Sequence, residues 1–156
     1  MRAPNFALAD QTGTVRNLSD YAGGWLAVYF YPKDDTPGCT TEACSFRDEY
    51  DYLQAIGLSV VGISRDSVSS HAKFAAKYDL RFPLLSDPDH AVISAYGAWG
   101  EKSMYGKTYE GITRLTVLVN PDGEIVKTYP KVTPKDHAVV IGRDLAGLRG
   151  SSEAAL

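Results

Sequence analysis

Cysteine and histidine are both scarce in this chain of 156 residues, which has two of the former and three of the latter. So few cysteines exclude a secreted scaffold held by several disulfides, and they suit a reducing compartment. Their spacing is C-x4-C, so the redox motif C-x-x-C is absent as well. The histidines, His71, His90 and His137, are scattered, and with the cysteines they match no zinc-binding spacing. We therefore expect neither a disulfide scaffold nor a zinc site.

An excess of positive charge is also lacking, because 19 Asp and Glu outnumber 16 Lys and Arg. A net charge of −3 provides no basic surface for nucleic acid and no attraction to an anionic membrane. The apolar run Trp25–Tyr31 is far shorter than the roughly 20 residues that cross a bilayer. Residues 1–4 lead directly into sequence typical of a folded domain, so we expect no signal peptide and a cytoplasmic location.

The remaining composition, 44% hydrophobic and 22% charged, is that of an ordinary globular protein. The length predicts one domain over residues 1–156 that is large enough to bury a core. No repeats, linkers or low-complexity segments interrupt it. Residues 151–156 are predicted to form a flexible C-terminal tail.

Hydrophobic patterns and turn residues predict an α/β fold with a central mixed sheet flanked by helices. The strand–helix–strand order after residue 25 indicates a right-handed parallel crossover, and Asn120–Gly123 indicates a later hairpin turn. Asp87 is predicted to cap a short helix that has Pro88 at its first position. The predicted strands are 6–10, 15–18, 25–31, 58–64, 82–85, 112–119 and 124–129, the helices are 39–56, 67–78, 87–96 and 134–148, and a loop covers 97–111.

Both cysteines lie where the central strand passes into the first helix, within YPKDDTPGCTTEACSFR, residues 31–47. Pro32 ends the strand because proline has no N–H for a sheet ladder. Cys39 then falls in the first helical turn, where unpaired N–H groups and the helix dipole favour an anion. The thiolate is the reactive form of cysteine. Thr36, three residues earlier, is placed to reach the sulfur or to cap the helix.

Cys44 follows Cys39 by five positions, which is too far for a bridge while the helix is intact. At about 1.5 Å per residue the two Cα atoms are more than ~7 Å apart, whereas a disulfide needs roughly 4.4–6.8 Å. Pairing therefore requires the first turns to unwind. We interpret Cys39 as a nucleophile and Cys44 as its resolving partner. The simpler alternative is that both are small buried hydrophobic residues, which is common for free cysteine.

The pattern Pro32-x-x-x-Thr36-x-x-Cys39 resembles the active-site motif of peroxiredoxins. The longer string TPGCTTEACSFRD is similar to the branch called bacterioferritin comigratory protein or peroxiredoxin Q. Further matches are APNFAL, VVGIS, FPLLSDPDH, YGAWGEKSMYGKTYEGITR and NPDG, so the resemblance covers almost the whole chain. It implies a thioredoxin-like fold and a thiol-dependent peroxidase.

The resemblance also implies roles for individual residues. Cys39 is the peroxidatic cysteine, Thr36 and Arg114 bind the peroxide, and Pro32 shields the thiolate from water. A fixed guanidinium at Arg114 favours the thiolate and donates to the leaving oxygen. Without the resemblance, Arg114 is simply a surface residue that begins a strand. Glu42 is either an exposed carboxylate at the helix start or the partner that orients Arg114.

For the catalytic cycle, the resemblance implies that Cys44 closes an intramolecular disulfide, which thioredoxin or a similar dithiol reduces. Hydrogen peroxide and alkyl hydroperoxides are the implied substrates, and no metal, haem or flavin is implied. We expect a monomer or a weakly associating dimer.

Three further residues have plainer interpretations. Arg47 is interpreted as a solvated or ion-paired helix residue, and Tyr31 and Trp99 as aromatics of the core or of a pocket wall. No histidine stands at a motif distance from a cysteine, which argues against a Cys-His protease.

Two other functions remain open at this point. One is a disulfide oxidoreductase acting on proteins, and the other is a redox-sensing or holdase module that passes oxidation to a partner protein.

Overall fold

A five-stranded mixed sheet forms the centre of the fold, with the strand order β5-β4-β3-β8-β9. The computed structural model describes residues 1–154, with the backbone alone for Met104 and residues 149–154. The strands are β1 (Ala7–Ala9), β2 (Val15–Asn17), β3 (Trp25–Phe30), β4 (Leu58–Ser64), β5 (Leu84–Ser86), β6 (Trp99–Met104), β7 (Lys107–Ile112), β8 (Leu115–Val119) and β9 (Ile125–Tyr129). The α-helices are α1 (Pro37–Ala55), α2 (Val68–Tyr78), α3 (Ala91–Ala95) and α4 (His137–Ala154).

The strand β3 is central, as its apolar sequence predicts. It pairs in parallel with β4, from Trp25 opposite Leu58 to Phe30 opposite Ile63. On its other edge it pairs antiparallel with β8, which continues through a hairpin into β9. The parallel crossover through α1 and the turn at Asn120–Gly123 are thereby confirmed, and Gly123 occupies this turn with φ 84°.

Side chains of β3 alternate between two cores because successive residues of a strand point to opposite faces. Ala27, Tyr29 and Tyr31 join the cluster that includes residues of α1, α2 and α4. Leu26, Val28 and Phe30 join the cluster that includes α3, the N-terminal segment and the end of β7. Both faces of the sheet are therefore covered, and the end of β3 lies buried where α1 begins.

The prediction of a loop over residues 97–111 is wrong, because most of this segment forms a β-hairpin. β6 and β7 pair antiparallel, from Trp99 opposite Ile112 to Met104 opposite Lys107. Tyr105 and Gly106 turn the hairpin with φ values of 54° and 77°, the left-handed region that two-residue hairpin turns require. Residues 107–110 are exposed, so no alternation of apolar and polar residues marks the strand in the sequence.

Several other boundaries also differ from their predictions, among them the start of α1, which is Pro37 and not residue 39. The helix α3 begins at Ala91, not at Asp87, since residues 88 and 89 form a turn and His90 precedes the helix with φ 52°. The Asp87 carboxylate accepts a hydrogen bond from the Ile93 amide at 2.8 Å, so it holds the helix from outside. Arg114 also does not begin a strand, because it lies in the two-residue connection between β7 and β8.

The C-terminal helix begins at His137 and continues to Ala154, past its predicted end near residue 148. The flexibility predicted for residues 151–156 is not tested by the fold, and residues 155 and 156 lie outside the described part of the chain. Among the described residues, none of the helices combines the length and apolar character required to cross a membrane.

Candidate active site

The cysteine segment folds as a buried strand, a short loop and a long helix. The loop leaves β3 after Phe30 and places Pro32 in a half-buried position. Thr36 is the N-cap residue of α1, and Pro37 is its first residue, where the missing N–H costs no hydrogen bond. Cys39 is therefore the third residue of α1, in the first turn as predicted, and it is 2% exposed.

Side chains from two distant parts of the sequence meet at this turn. The Arg114 Nη2 atom lies 3.3 Å from Cys39 Sγ, and its Nη1 atom lies 2.7 Å from Glu42 Oε1. Burial opposes the positive charge of Arg114, but Glu42 and Cys39 outweigh it and raise the pKa of the guanidinium. The sulfur thus has the Arg114 guanidinium and the first turn of α1 beside it.

Glu42 is fully buried, so its interpretation as an exposed carboxylate at the helix start is wrong. Its Oε1 atom accepts from Arg114, while its Oε2 atom has no hydrogen-bond partner among the described residues. Burial raises the pKa of Glu42 to about 7, against the opposing effect of Arg114. The contact with Arg114 is the one that the alternative interpretation of Glu42, as a partner of this arginine, requires.

Because Glu42 is buried, its protonation should contribute to the free energy of unfolding, and this contribution can be measured. Between a pKa of 4.5 and one of about 7, the folded protein binds a proton that the unfolded chain has released. Stability from this group is therefore present below about pH 4.5 and is lost as the pH rises toward 7. We expect Glu42→Gln to remove this loss, which is on the order of 3 kcal/mol at 1.36 kcal/mol per pKa unit.

The measurement is the free energy of unfolding in urea at several pH values for wild type and Glu42→Gln. The difference between the two proteins should change across pH 4.5–7 and stay constant above that range. The exposed Glu110 supplies a matched control, Glu110→Gln, whose curve should run parallel to that of wild type. Parallel curves for Glu42→Gln would contradict the assigned effect of burial.

Gly38 makes room for the guanidinium, a role that the sequence analysis missed. A Cβ atom at this position would lie 3.2 Å from Arg114 Nη2, closer than an ordinary van der Waals contact. Gly38 has no positive φ that would explain the choice of glycine. The sequence signal was a glycine inside the first turn of a helix, where it is otherwise unfavourable.

Thr36 does not cap α1 with its side chain, so this part of its prediction is wrong. Its hydroxyl donates a hydrogen bond to the Lys33 carbonyl oxygen at 2.8 Å. The Lys33 carbonyl lies three residues before Thr36, so this hydrogen bond stays within the loop that precedes α1. The structure still places Thr36 directly before the helix that carries Cys39.

Cys44 lies one and a half turns beyond Cys39 on the same helix and is half-buried. Both thiols are free in the structure. Burial raises the pKa of Cys44, so its thiol is kept protonated more firmly than a free one. The intact helix separates the two sulfur-bearing residues, as the rise per residue predicts.

The remaining predicted residues take their plainer roles. Arg47 pairs with Asp48 at 3.0 Å and donates to the Tyr78 carbonyl oxygen, as expected of an ion-paired helix residue. Tyr31 is buried in the core, and Trp99 and Pro32 line the same surface pocket. Burial lowers the pKa of His137 to about 4, so this histidine is neutral where it contacts Thr116.

Comparison with known proteins finds sequence similarity over most of the chain. The AhpC/TSA family matches residues 1–128. The putative peroxiredoxin bcp of Coxiella burnetii is 48% identical over 143 residues, which are 91% of this chain and 95% of that protein. Peroxiredoxin Bcp of Escherichia coli K12 is 47% identical over 139 residues, 89% of either protein.

Solved structures of other proteins share the fold of this chain. The bacterioferritin comigratory protein of Xanthomonas campestris superposes with a TM-score of 0.86 at 42% identity, covering 91% of this chain and 90% of that one. A cysteine-to-serine mutant of Xylella fastidiosa PrxQ superposes with a TM-score of 0.89 at 39% identity, covering 94% and 91%.

The fold and the site together define a thiol peroxidase built on the thioredoxin fold. The predicted fold class and enzyme class are thereby confirmed. The chain belongs to the AhpC/TSA family and, within it, to the peroxiredoxins of the bacterioferritin comigratory protein or PrxQ branch.

Proposed function

We propose that this protein reduces hydrogen peroxide and alkyl hydroperoxides with Cys39 as the peroxidatic cysteine. The observation that carries the proposal is the 3.3 Å contact between Arg114 Nη2 and a cysteine sulfur in the first turn of a helix. The Xanthomonas campestris relative, 42% identical, was studied for its alkyl peroxide reduction activity with trapped intermediates, which supports this substrate class.

In the first step, the Cys39 thiolate attacks the nearer oxygen of the peroxide, and the O–O bond breaks. The sulfur becomes a sulfenic acid, and the other oxygen leaves as water or alcohol after taking a proton. Negative charge grows on that leaving oxygen, so a donor held beside it lowers the barrier. Arg114 is the donor in place, and Glu42 fixes its direction. Thr36 aligns the peroxide, and Pro32 keeps water from the sulfur.

In the second step, the first turns of α1 unwind and the Cys44 thiol attacks the sulfenic sulfur. A disulfide forms and water leaves. A dithiol then attacks the disulfide, so that both cysteines return to thiols and the dithiol becomes a disulfide. We assign this reduction to thioredoxin or a similar dithiol protein. The cycle needs no metal or organic cofactor in this chain, and it suits a monomer or weak dimer in a reducing cytoplasm.

Oxidation should melt the helix between Cys39 and Cys44. An intact helix holds the two Cα atoms beyond bridging distance, and these are the two cysteines of the chain. Amide hydrogen exchange over residues 39–47 should therefore be faster in the oxidised protein than in the reduced one, because those backbone hydrogen bonds are lost. Exchange in β3 serves as the internal reference and should stay slow.

Cys44→Ser is the matched variant for this experiment. It should keep the slow exchange after one equivalent of peroxide, stop at the sulfenic acid, and over-oxidise under excess peroxide. Intact mass distinguishes these products. Unchanged exchange in oxidised wild type, or peptide maps that join Cys39 across two chains, would contradict the intramolecular mechanism. Activity on protein disulfides without peroxide turnover would instead support an oxidoreductase.

A further inference from the structure

The loop between β3 and α1 is held by α2, which contributes no residue to the site described above. Asp34 lies in this loop, and its side chain is 4% exposed. Its Oδ1 atom accepts from the Tyr31 hydroxyl at 2.6 Å, and its Oδ2 atom accepts from the Ser70 hydroxyl at 2.8 Å. The Asp34 amide donates to Asp66 Oδ2 at 2.9 Å. The middle of the loop is thus bound on three sides.

His71 completes this arrangement from inside the core, where it is fully buried. Its Nδ1 atom lies 2.7 Å from Asp34 Oδ2, and its Nε2 atom lies 3.0 Å from the Leu85 carbonyl oxygen. A carbonyl oxygen accepts only, so Nε2 carries a hydrogen. One nitrogen of His71 therefore anchors the ring to β5, and the other holds the loop.

The carboxylates of Asp34 and Asp66 and a nitrogen of His71 approach within 4.8 Å of one another, as metal ligands also do. Here the oxygens of Asp34 are engaged by Tyr31, Ser70 and His71. Asp66 Oδ2 accepts from the Asp34 amide and from the Ser64 hydroxyl. These hydrogen bonds converge on the loop between β3 and α1. The cluster is therefore a hydrogen-bonded anchor for that loop.

We propose that His71 is a positioning residue for the peroxide reaction of Cys39. By holding Asp34, it sets the loop that leads, two residues later, to Thr36 and then to the first turn of α1. A displacement of about 1 Å at a reacting group can cost up to roughly 100-fold in rate. The inference rests on the proposed function, since it concerns the same sulfur.

Two substitutions separate the two bonds of His71. In His71→Asn the amide occupies the place of Nδ1 and can still donate to Asp34, while the bond to Leu85 is lost. In His71→Gln the longer amide reaches the place of Nε2, so the Leu85 bond is kept and the Asp34 bond is lost. The second-order rate constant of the first turnover is measured by rapid mixing with hydrogen peroxide and intact mass of the quenched protein.

We expect His71→Gln to slow this step about tenfold and His71→Asn to stay within about threefold of wild type, a split in keeping with loss of alignment. The midpoint of urea unfolding is measured for both, because a merely structural role would make the rates follow the midpoints. Equal rates in the two variants, or rates that track stability, would overturn the proposal.

Ser70→Ala keeps the test decisive if His71→Gln does not fold, because it removes another bond to Asp34 from the surface of α2. It should slow the first turnover about threefold, whereas Ser69→Ala on the same helix should not. A wild-type rate for Ser70→Ala would then overturn the proposal. A wild-type protein that does not consume peroxide would instead refute the proposed function, so the two failures are distinguishable.

Discussion

Cys39→Ser should abolish the turnover of peroxide. The reaction needs a nucleophile that is ionised at neutral pH, and a serine hydroxyl is barely ionised where a thiolate was provided. The substitution exchanges sulfur for oxygen in a fully formed helical turn, so the fold should persist. The measurement is thioredoxin-coupled consumption of hydrogen peroxide, together with intact mass after one equivalent of peroxide.

Cys44→Ser is the informative comparison for this variant. With one equivalent of peroxide it should stop at the sulfenic acid, because Cys39 is still oxidised but cannot be resolved within the chain. Cys39→Ser should show no mass increase at all under the same conditions. Sustained turnover by folded Cys39→Ser would show that another group is the nucleophile, and the assignment of both cysteines would have to be reversed or abandoned.

Arg114→Ala should slow the first turnover by about 100- to 1,000-fold, the loss typical when a single donor to a developing oxyanion is removed. The guanidinium acts twice in this site, since it contacts the sulfur at 3.3 Å and the Glu42 carboxylate at 2.7 Å. Its removal takes a positive charge from the thiolate and leaves the buried Glu42 without its cation. The measurement is the rate of the first turnover at several peroxide concentrations.

Controls separate charge from geometry. Arg47→Ala removes an arginine of α1 that pairs with Asp48, and it should leave the rate near that of wild type. Arg114→Lys keeps the charge but loses the planar fork that binds two partners, so it should recover only part of the rate. Wild-type kinetics in folded Arg114→Ala would reduce Arg114 to a structural residue.

Gly38→Ala is a milder change to the same contact. The added Cβ atom would stand 3.2 Å from Arg114 Nη2 and push it from the sulfur. The exposed Gly147 of α4 has no atom within 4 Å of such a Cβ, so Gly147→Ala is its control. Both changes favour the helix by up to roughly 1 kcal/mol, but only Gly38→Ala should slow peroxide reduction.

The segment from Tyr31 to Arg47 could be predicted from the sequence because its signals are local. Pro32 ends a strand, and Pro37 stands at the first position of the helix, two residues before the start that the sequence predicts. Each of these acts on its own stretch of backbone. The position of Cys39 in the first turn, and the separation of Cys44 from it, follow from helix geometry alone.

The hairpin of β6 and β7 could not be predicted in this way. Most of its side chains are exposed, so apolar periodicity is absent, and its pairing depends on backbone hydrogen bonds that carry no sequence signal. The displaced start of α3 has a similar cause. There the Asp87 carboxylate binds the Ile93 amide, six residues away, and this contact overrides the local preference for a cap.

The chain alone determined that a thiol stands at a helix start, and that a second thiol lies out of its reach on the same helix. Only the tertiary structure decided what surrounds that thiol. Arg114 is 75 positions from Cys39, and His71 is 37 positions from Asp34. Local propensity does not predict contacts between residues so far apart in the sequence. These side chains meet only after the sheet has brought β3 beside β8 and α2 against the loop. The burial of Glu42, which puts its carboxylate in contact with Arg114 instead of at the surface, is likewise a consequence of that packing.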